Sequence, residues 1–133
     1  MVRTTKPSSA ISDAEWEVMQ VLWQTAPLTA NDVVERVAAK NRWNPRTVKT
    51  LLNRLVKKRA LGFEAEGNRY RYFPKVSREE CVRSESRSFL RRVFGGQAPA
   101  MLAHFVSETA LTPKEIAELR QLLDQRDPKR NQP

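Results

Sequence analysis

The chain has 133 residues, 24 Lys and Arg against 15 Asp and Glu, and a net charge of +9, enough length for one full domain or a small domain with an accessory segment. Such a basic balance favours a polyanionic partner, nucleic acid or an anionic membrane surface, and residues 1–76 carry most of it, with 14 cations against 7 acids. A lone cysteine, Cys81, excludes an internal disulfide, and no apolar run approaches the ~20 residues of a membrane span or a signal-peptide core after Met1, so a cytoplasmic chain without membrane insertion is expected.

Residues 1–10 lack apolar periodicity and contain Arg3, Lys6, Pro7, Ser8 and Ser9, the composition of a disordered tail or of a basic arm for a minor groove. Ser12-Asp13-Ala14-Glu15 is a capping box, with Ile11 placed to staple onto Trp16. Trp16, Met19, Val21, Leu22 and Trp23 then make an apolar helix ending before Pro27, and Ile11 and both tryptophans are expected in a core. Leu28-Thr29 opens a second helix, with Thr29 as cap and Val33, Val34 and Val37 inward, to about Asn41. A short linker follows, where Trp43 can pack at the helix–helix junction.

Residues 44–59 carry the strongest signal. Asn44 is a good N-cap, and Pro45 suits the first helical position. At 100° per residue Val48, Leu51, Leu52 and Leu55 form one apolar stripe, with Arg46, Thr50, Asn53 and Lys57 almost opposite, flanked by Thr47, Lys49 and Arg54. Residues 42–59 contain no acid, whereas a merely solvated amphipathic helix carries Glu in comparable numbers. Cations neutralise phosphates, and Arg, Asn and Thr reach base edges in a major groove. Arg46, Thr47 and Thr50, early or central on the outer face, are the candidate base contacts, and Thr47 can equally pack its methyl on a thymine methyl.

After Ala60 the period shortens. Residues 61–66 and 69–74 read as two strands joined by Gly67-Asn68, a two-residue hairpin signal. Arg69 and Arg71 share one face of the second strand and Tyr70 and Tyr72 the other. Three helices and a hairpin are the order of a winged helix-turn-helix. Lys49, Asn53, Arg54, Lys57, Arg69 and Arg71 are assigned to the DNA backbone, although exposed solubilising arginines would look the same on the wing.

Ser77-Arg78-Glu79-Glu80 is a second capping box, opening a long helix to about Phe94 that Gly95-Gly96 ends. Residues 98–106 form a short helix, and Thr112-Pro113-Lys114-Glu115 caps a last one bearing Ile116, Leu119, Leu122 and Leu123. These helices hold too few large apolar residues for a core of their own. A second copy of the chain would cover the stripe through Phe89, Val93, Met101, Leu102, Phe105, Ile116, Leu119, Leu122 and Leu123. Packing back on the same chain is the alternative. The expected organisation is a tail (1–10), a winged helix-turn-helix (11–76), a helical dimerisation segment (77–126) and a second tail (127–133), mainly α with a small β-hairpin.

Catalysis finds no footing. With His104 the only histidine and Cys81 the only cysteine, neither a metal cluster nor a thiol–imidazole pair nor a Ser-His-Asp set can be assembled, so no enzyme, metal or cofactor is expected. Gly62, Gly67, Gly95 and Gly96 form no phosphate-cradling loop.

Ile11-Ser12-Asp13-Ala14-Glu15-Trp16-Glu17-Val18-Met19, Trp43-Asn44-Pro45-Arg46-Thr47-Val48 and Arg54-Leu55-Val56-Lys57-Lys58 resemble the penicillinase repressors of the BlaI/MecI type. So do Phe105-Val106 and Leu111-Thr112-Pro113-Lys114-Glu115-Ile116-Ala117-Glu118-Leu119, and the likeness runs in order from about Ile11 to Leu123. The resemblance implies a homodimeric repressor on a palindromic operator of double-stranded DNA, controlling β-lactamase-type or cell-wall-stress genes and its own operon. It further implies relief through a membrane sensor metalloprotease and cleavage in the dimerisation segment. His104-Phe105 stands where the best-known members have an Asn-Phe cut, and the carboxy-terminal cysteine cluster of the copper-sensing relatives is missing. Competing readings are a ligand- or redox-gated winged-helix regulator, with a pocket near Trp16 and Trp23, and a protein–protein module.

Overall fold

Each amino-terminal helix starts where a side chain takes over a backbone N–H that the helix cannot satisfy. In the computed structural model, which describes residues 10–127, Ser12 and Glu15 exchange reciprocal bonds and open α1 (Asp13–Gln24). Thr29 and Asp32 do the same for α2 (Ala30–Ala38). Asn44 accepts the Thr47 N–H at the start of α3 (Pro45–Lys57). The strands are β1 (Leu28–Thr29), β2 (Leu61–Glu66) and β3 (Arg69–Pro74), followed by α4 (Arg78–Phe94), α5 (Ala98–Glu108) and α6 (Pro113–Gln125). The tails expected at 1–10 and 127–133 lie outside the described residues, save Ala10 and Asp127.

Leu28 and Thr29 were expected to begin the second helix and instead form a strand. Leu28 pairs with Tyr72 and Thr29 with Arg71, making an antiparallel sheet of order β1-β3-β2. Two residues are too few for alternation to register, and Thr29 serves both as strand end and as N-cap because a cap needs extended backbone. The second helix also ends at Ala38 rather than near Asn41, where the Lys40 and Asn41 N–H groups both turn back on the Val37 carbonyl. In the hairpin, β2 and β3 pair in register from Leu61 with Pro74 to Glu66 with Arg69, and Gly67 supplies the positive φ (62°) of the turn.

The chain divides into two compact units, one to Arg87 and one from Ser88. In the first, Val18, Met19 and Leu22 of α1, Val33 and Val37 of α2, and Val48, Leu51, Leu52 and Leu55 of α3 are buried together. Leu61, Tyr72, Val76 and Cys81 close that core, with Trp16, Trp23 and Trp43 packed against its edge. Trp23 Nε1 donates to the Val76 carbonyl at 3.0 Å. The division falls after Arg87, inside α4, so the start of that helix goes with the first unit, and Cys81, beyond residue 76, belongs to its core. Of the capping box expected at Ser77, the hydroxyl accepts the Glu80 N–H, while the Glu80 carboxylate takes Arg83.

The second unit holds the end of α4 with α5 and α6. Phe89 stacks on Phe105 (6.0 Å between centroids, 17° between planes), and Phe94 meets Phe105 edge-on at 6.3 Å. None of its described residues is fully buried, and Val93, Leu102, Phe105, Val106, Leu119, Leu122 and Leu123 are exposed.

Candidate nucleic-acid interface

Burial of Val48, Leu51, Leu52 and Leu55 fixes the rotation of α3 about its axis. The opposite face then has one orientation, and Arg46, Thr47, Lys49, Thr50, Asn53, Arg54 and Lys57 are all exposed on it. Among the described residues no carboxylate pairs with Arg46, Lys49, Arg54 or Lys57. The two threonines are engaged with the helix itself: Thr47 donates its hydroxyl to Asn44 Oδ1 at 3.2 Å, and Thr50 donates to the Arg46 carbonyl at 3.0 Å. An uncompensated cationic surface of this kind suits a polyphosphate backbone.

The other end of α3 is pinned by charge. Lys58, at its C-cap, donates both to the buried Glu15 carboxylate and to the Ala10 carbonyl. Burial pushes the Glu15 carboxyl up, but the hydrogen bonds from Lys58 and Ser12 outweigh it and hold it below the usual carboxylate value. Glu15 Oε1 also accepts the Ser12 N–H, while Oε2 is buried with no hydrogen-bond partner among the described residues. The sequence shows Glu15 as a cap only. Its pairing with Lys58, 43 residues on, carries no local signal.

On the wing the cations meet acids. Arg71 lies opposite Glu64 and forms an ion pair with Glu66, and Arg69 lies opposite Glu66. Tyr72 is buried, whereas Phe63 and Tyr70 are exposed and packed edge-on at 4.8 Å. Between α3, the start of α2 and β3 runs a cleft of about 300 Å³ lined by Thr29, Asn31, Lys49, Asn53, Arg69 and Tyr70. Alternation places Tyr70 and Tyr72 on one face, but it does not say that this face turns towards α3, so Asn31 and Tyr70 go unnoticed in the sequence.

His104 and Phe105 lie inside α5, with the Phe105 ring against Phe89 and Phe94. The expected stripe divides by exposure: Phe89 and Met101 are half-buried, whereas Val93, Leu102, Phe105, Ile116, Leu119, Leu122 and Leu123 are exposed.

The sequence profile of the penicillinase repressor family matches residues 11–125. The penicillinase repressor of Bacillus licheniformis is 36% identical over 115 residues, covering 86% of this chain and 90% of that protein. The methicillin resistance regulatory protein MecI of Staphylococcus aureus strain N315 is 31% identical over 116 residues, covering 87% and 94%. A solution structure of the monomeric form of Bacillus licheniformis BlaI in complex with the blaP half-operator superposes with a TM-score of 0.50 at 37% identity, over 57% of this chain and 93% of that one.

Proposed function

The chain belongs to the penicillinase repressor family, and we propose on that footing that it represses transcription as a homodimer seated on a palindromic operator. It is a DNA-binding winged-helix repressor rather than an enzyme. In this reading α3 lies in the major groove of each half-site, with Arg46, Thr47 and Thr50 at the bases. Lys49, Asn53, Arg54, Lys57, Arg69 and Arg71 hold the backbone, and two heads spaced by one or more turns of about 34 Å exclude polymerase. Target genes are of the β-lactamase or cell-wall-stress type, together with its own operon. The observation that carries the reading is the acid-free cationic face of α3, unpaired among the described residues. A protein-interface helix is rarely so charged at its centre, which weighs against a protein–protein module.

Selection of duplexes from a random pool, followed by fluorescence anisotropy across salt, tests this. The expected result is a two-fold symmetric site whose affinity falls steeply with salt; salt-independent binding, or none, overturns it. Among the described residues no helix is long and apolar enough to cross a membrane. Redox gating is disfavoured, since burial, and then Glu85 and Glu80, push the Cys81 thiol up to about 11, leaving little thiolate. Trp16 and Trp23 pack edge-on at 5.3 Å against the core, which weighs against an effector pocket beside them.

Relief by a membrane sensor metalloprotease is the second part of the proposal, with His104–Phe105 as the bond. That bond lies in α5, and a protease needs extended chain, so local opening must precede the cut. A 1–104 fragment keeps every α3 contact and loses the dimer's effective-concentration advantage of about 10²–10⁴. Weighing the repressor recovered from induced cells decides the matter. A fragment ending at His104 is expected, and an intact chain under full derepression overturns cleavage.

A further inference from the structure

Two exposed residues on α3 have already spent the hydrogen by which threonine donates. Thr47 gives its hydroxyl proton to Asn44 Oδ1, and Thr50 gives its own to the Arg46 carbonyl. The direction of both bonds is fixed by chemistry. A backbone carbonyl has no proton, and Asn44 Oδ1 is identified as the amide oxygen because it also accepts the Thr47 N–H at 2.9 Å. In a β-branched side chain, fixing Oγ1 fixes the methyl as well. Both residues are exposed, so each presents a positioned methyl and no donor. They lie three residues apart, neighbours on one face, with a rise of ~4.5 Å between them against ~3.4 Å per base step.

We propose that Thr47 and Thr50 read thymine through its C5 methyl group, making the operator half-site specific for thymine at two positions by apolar contact rather than by hydrogen bonds. The proposal rests on α3 entering the major groove, as proposed above. Within that groove the methyl marks thymine alone among the unmodified bases, so a methyl held on the protein discriminates it. Arg46 and Lys49, on the same face and free of acids among the described residues, supply the polar and phosphate contacts that the threonines do not. The rival chemistry is acceptance by the threonine oxygen of an amino hydrogen from adenine or cytosine.

The test uses the full chain and the duplexes it selects from a random pool. Each selected thymine is replaced singly by uracil, which removes the methyl and nothing else, and binding is compared for the wild type, Thr47→Ser, Thr50→Ser, Thr47→Val and Thr50→Val. At the two read positions uracil should weaken wild-type binding about fourfold, the value of one buried methylene-sized group. Each serine variant should lose the same factor on thymine and become indifferent to uracil at its own position. The valine variants should keep both affinity and sensitivity. Wild-type affinity unchanged by uracil everywhere overturns the proposal, and so do serine variants that bind normally while valine variants fail. If the serine variants do not fold, the uracil series on the wild type decides alone. A pool from which no sequence is enriched overturns the groove reading itself, an outcome distinct from enriched sites indifferent to uracil.

Discussion

Arg46 and Lys57 share the exposed face of α3 but stand at opposite ends of it. Arg46, in the first turn, is the residue proposed to reach a base edge, and Arg46→Ala should cost about 1–3 kcal/mol and relax specificity at one base pair per half-site. Lys57→Ala should weaken all duplexes alike and lower the salt slope by about one counterion. A binding-site selection with each variant checks both, and altered preference in Lys57→Ala alone would reverse the roles. Glu15 makes a prediction about pH. Its folded pKa lies below the usual value of about 4.5, so its charge contributes stability that is fully present above that value and lost as pH falls through the folded one. Urea unfolding between neutral pH and pH 3.5 should therefore show an acid loss that is smaller in Glu15→Gln. Equal acid slopes in the two proteins would remove the Lys58–Glu15 pair from the account.

At the scale of elements, α3 ends in a strained residue. The Arg59 N–H reaches the Val56 carbonyl and the Ala60 N–H the Leu55 carbonyl, the double closure of a helix that turns through a left-handed position. Arg59 occupies that position at φ 64°, where a Cβ is penalised and glycine is the usual choice. Relief of about 1–2 kcal/mol of left-handed strain is offset by about 0.4–1 kcal/mol for the freer unfolded chain. Arg59→Gly should therefore stabilise the first unit by roughly 0.5–1 kcal/mol, read as a higher urea midpoint at unchanged slope. A lower midpoint would mean that the arginine side chain contributes more than its backbone costs. The boundaries of α1, α3 and the hairpin were legible because caps, proline and Gly67-Asn68 punctuate them. β1 was not, since a strand of two residues exists only through its partners Tyr72 and Arg71.

Among the described residues the first unit closes a core of buried side chains, whereas the second presents apolar side chains to solvent. Leu119 and Leu122 are 40% and 58% exposed, and a second copy of the chain is the partner proposed for them. Leu119→Glu should then give monomers in sedimentation, while the first unit melts as before, because a charge in a buried stripe has no partner and costs several kcal/mol. An unchanged dimer would take Leu119 out of the interface. By itself the sequence determined the caps of α1, α2, α3 and α6, the inward stripe and outward cations of α3, and the winged-helix order, each read from spacing within a dozen residues. The family likeness was equally legible, since its motifs recur in order along the chain. Only the tertiary structure decided the burial of Glu15 under Lys58, the cleft beside Tyr70, and the place of Cys81 in the first core. Each of these joins residues from different elements, and periodicity within one element carries no information about what lies across from it.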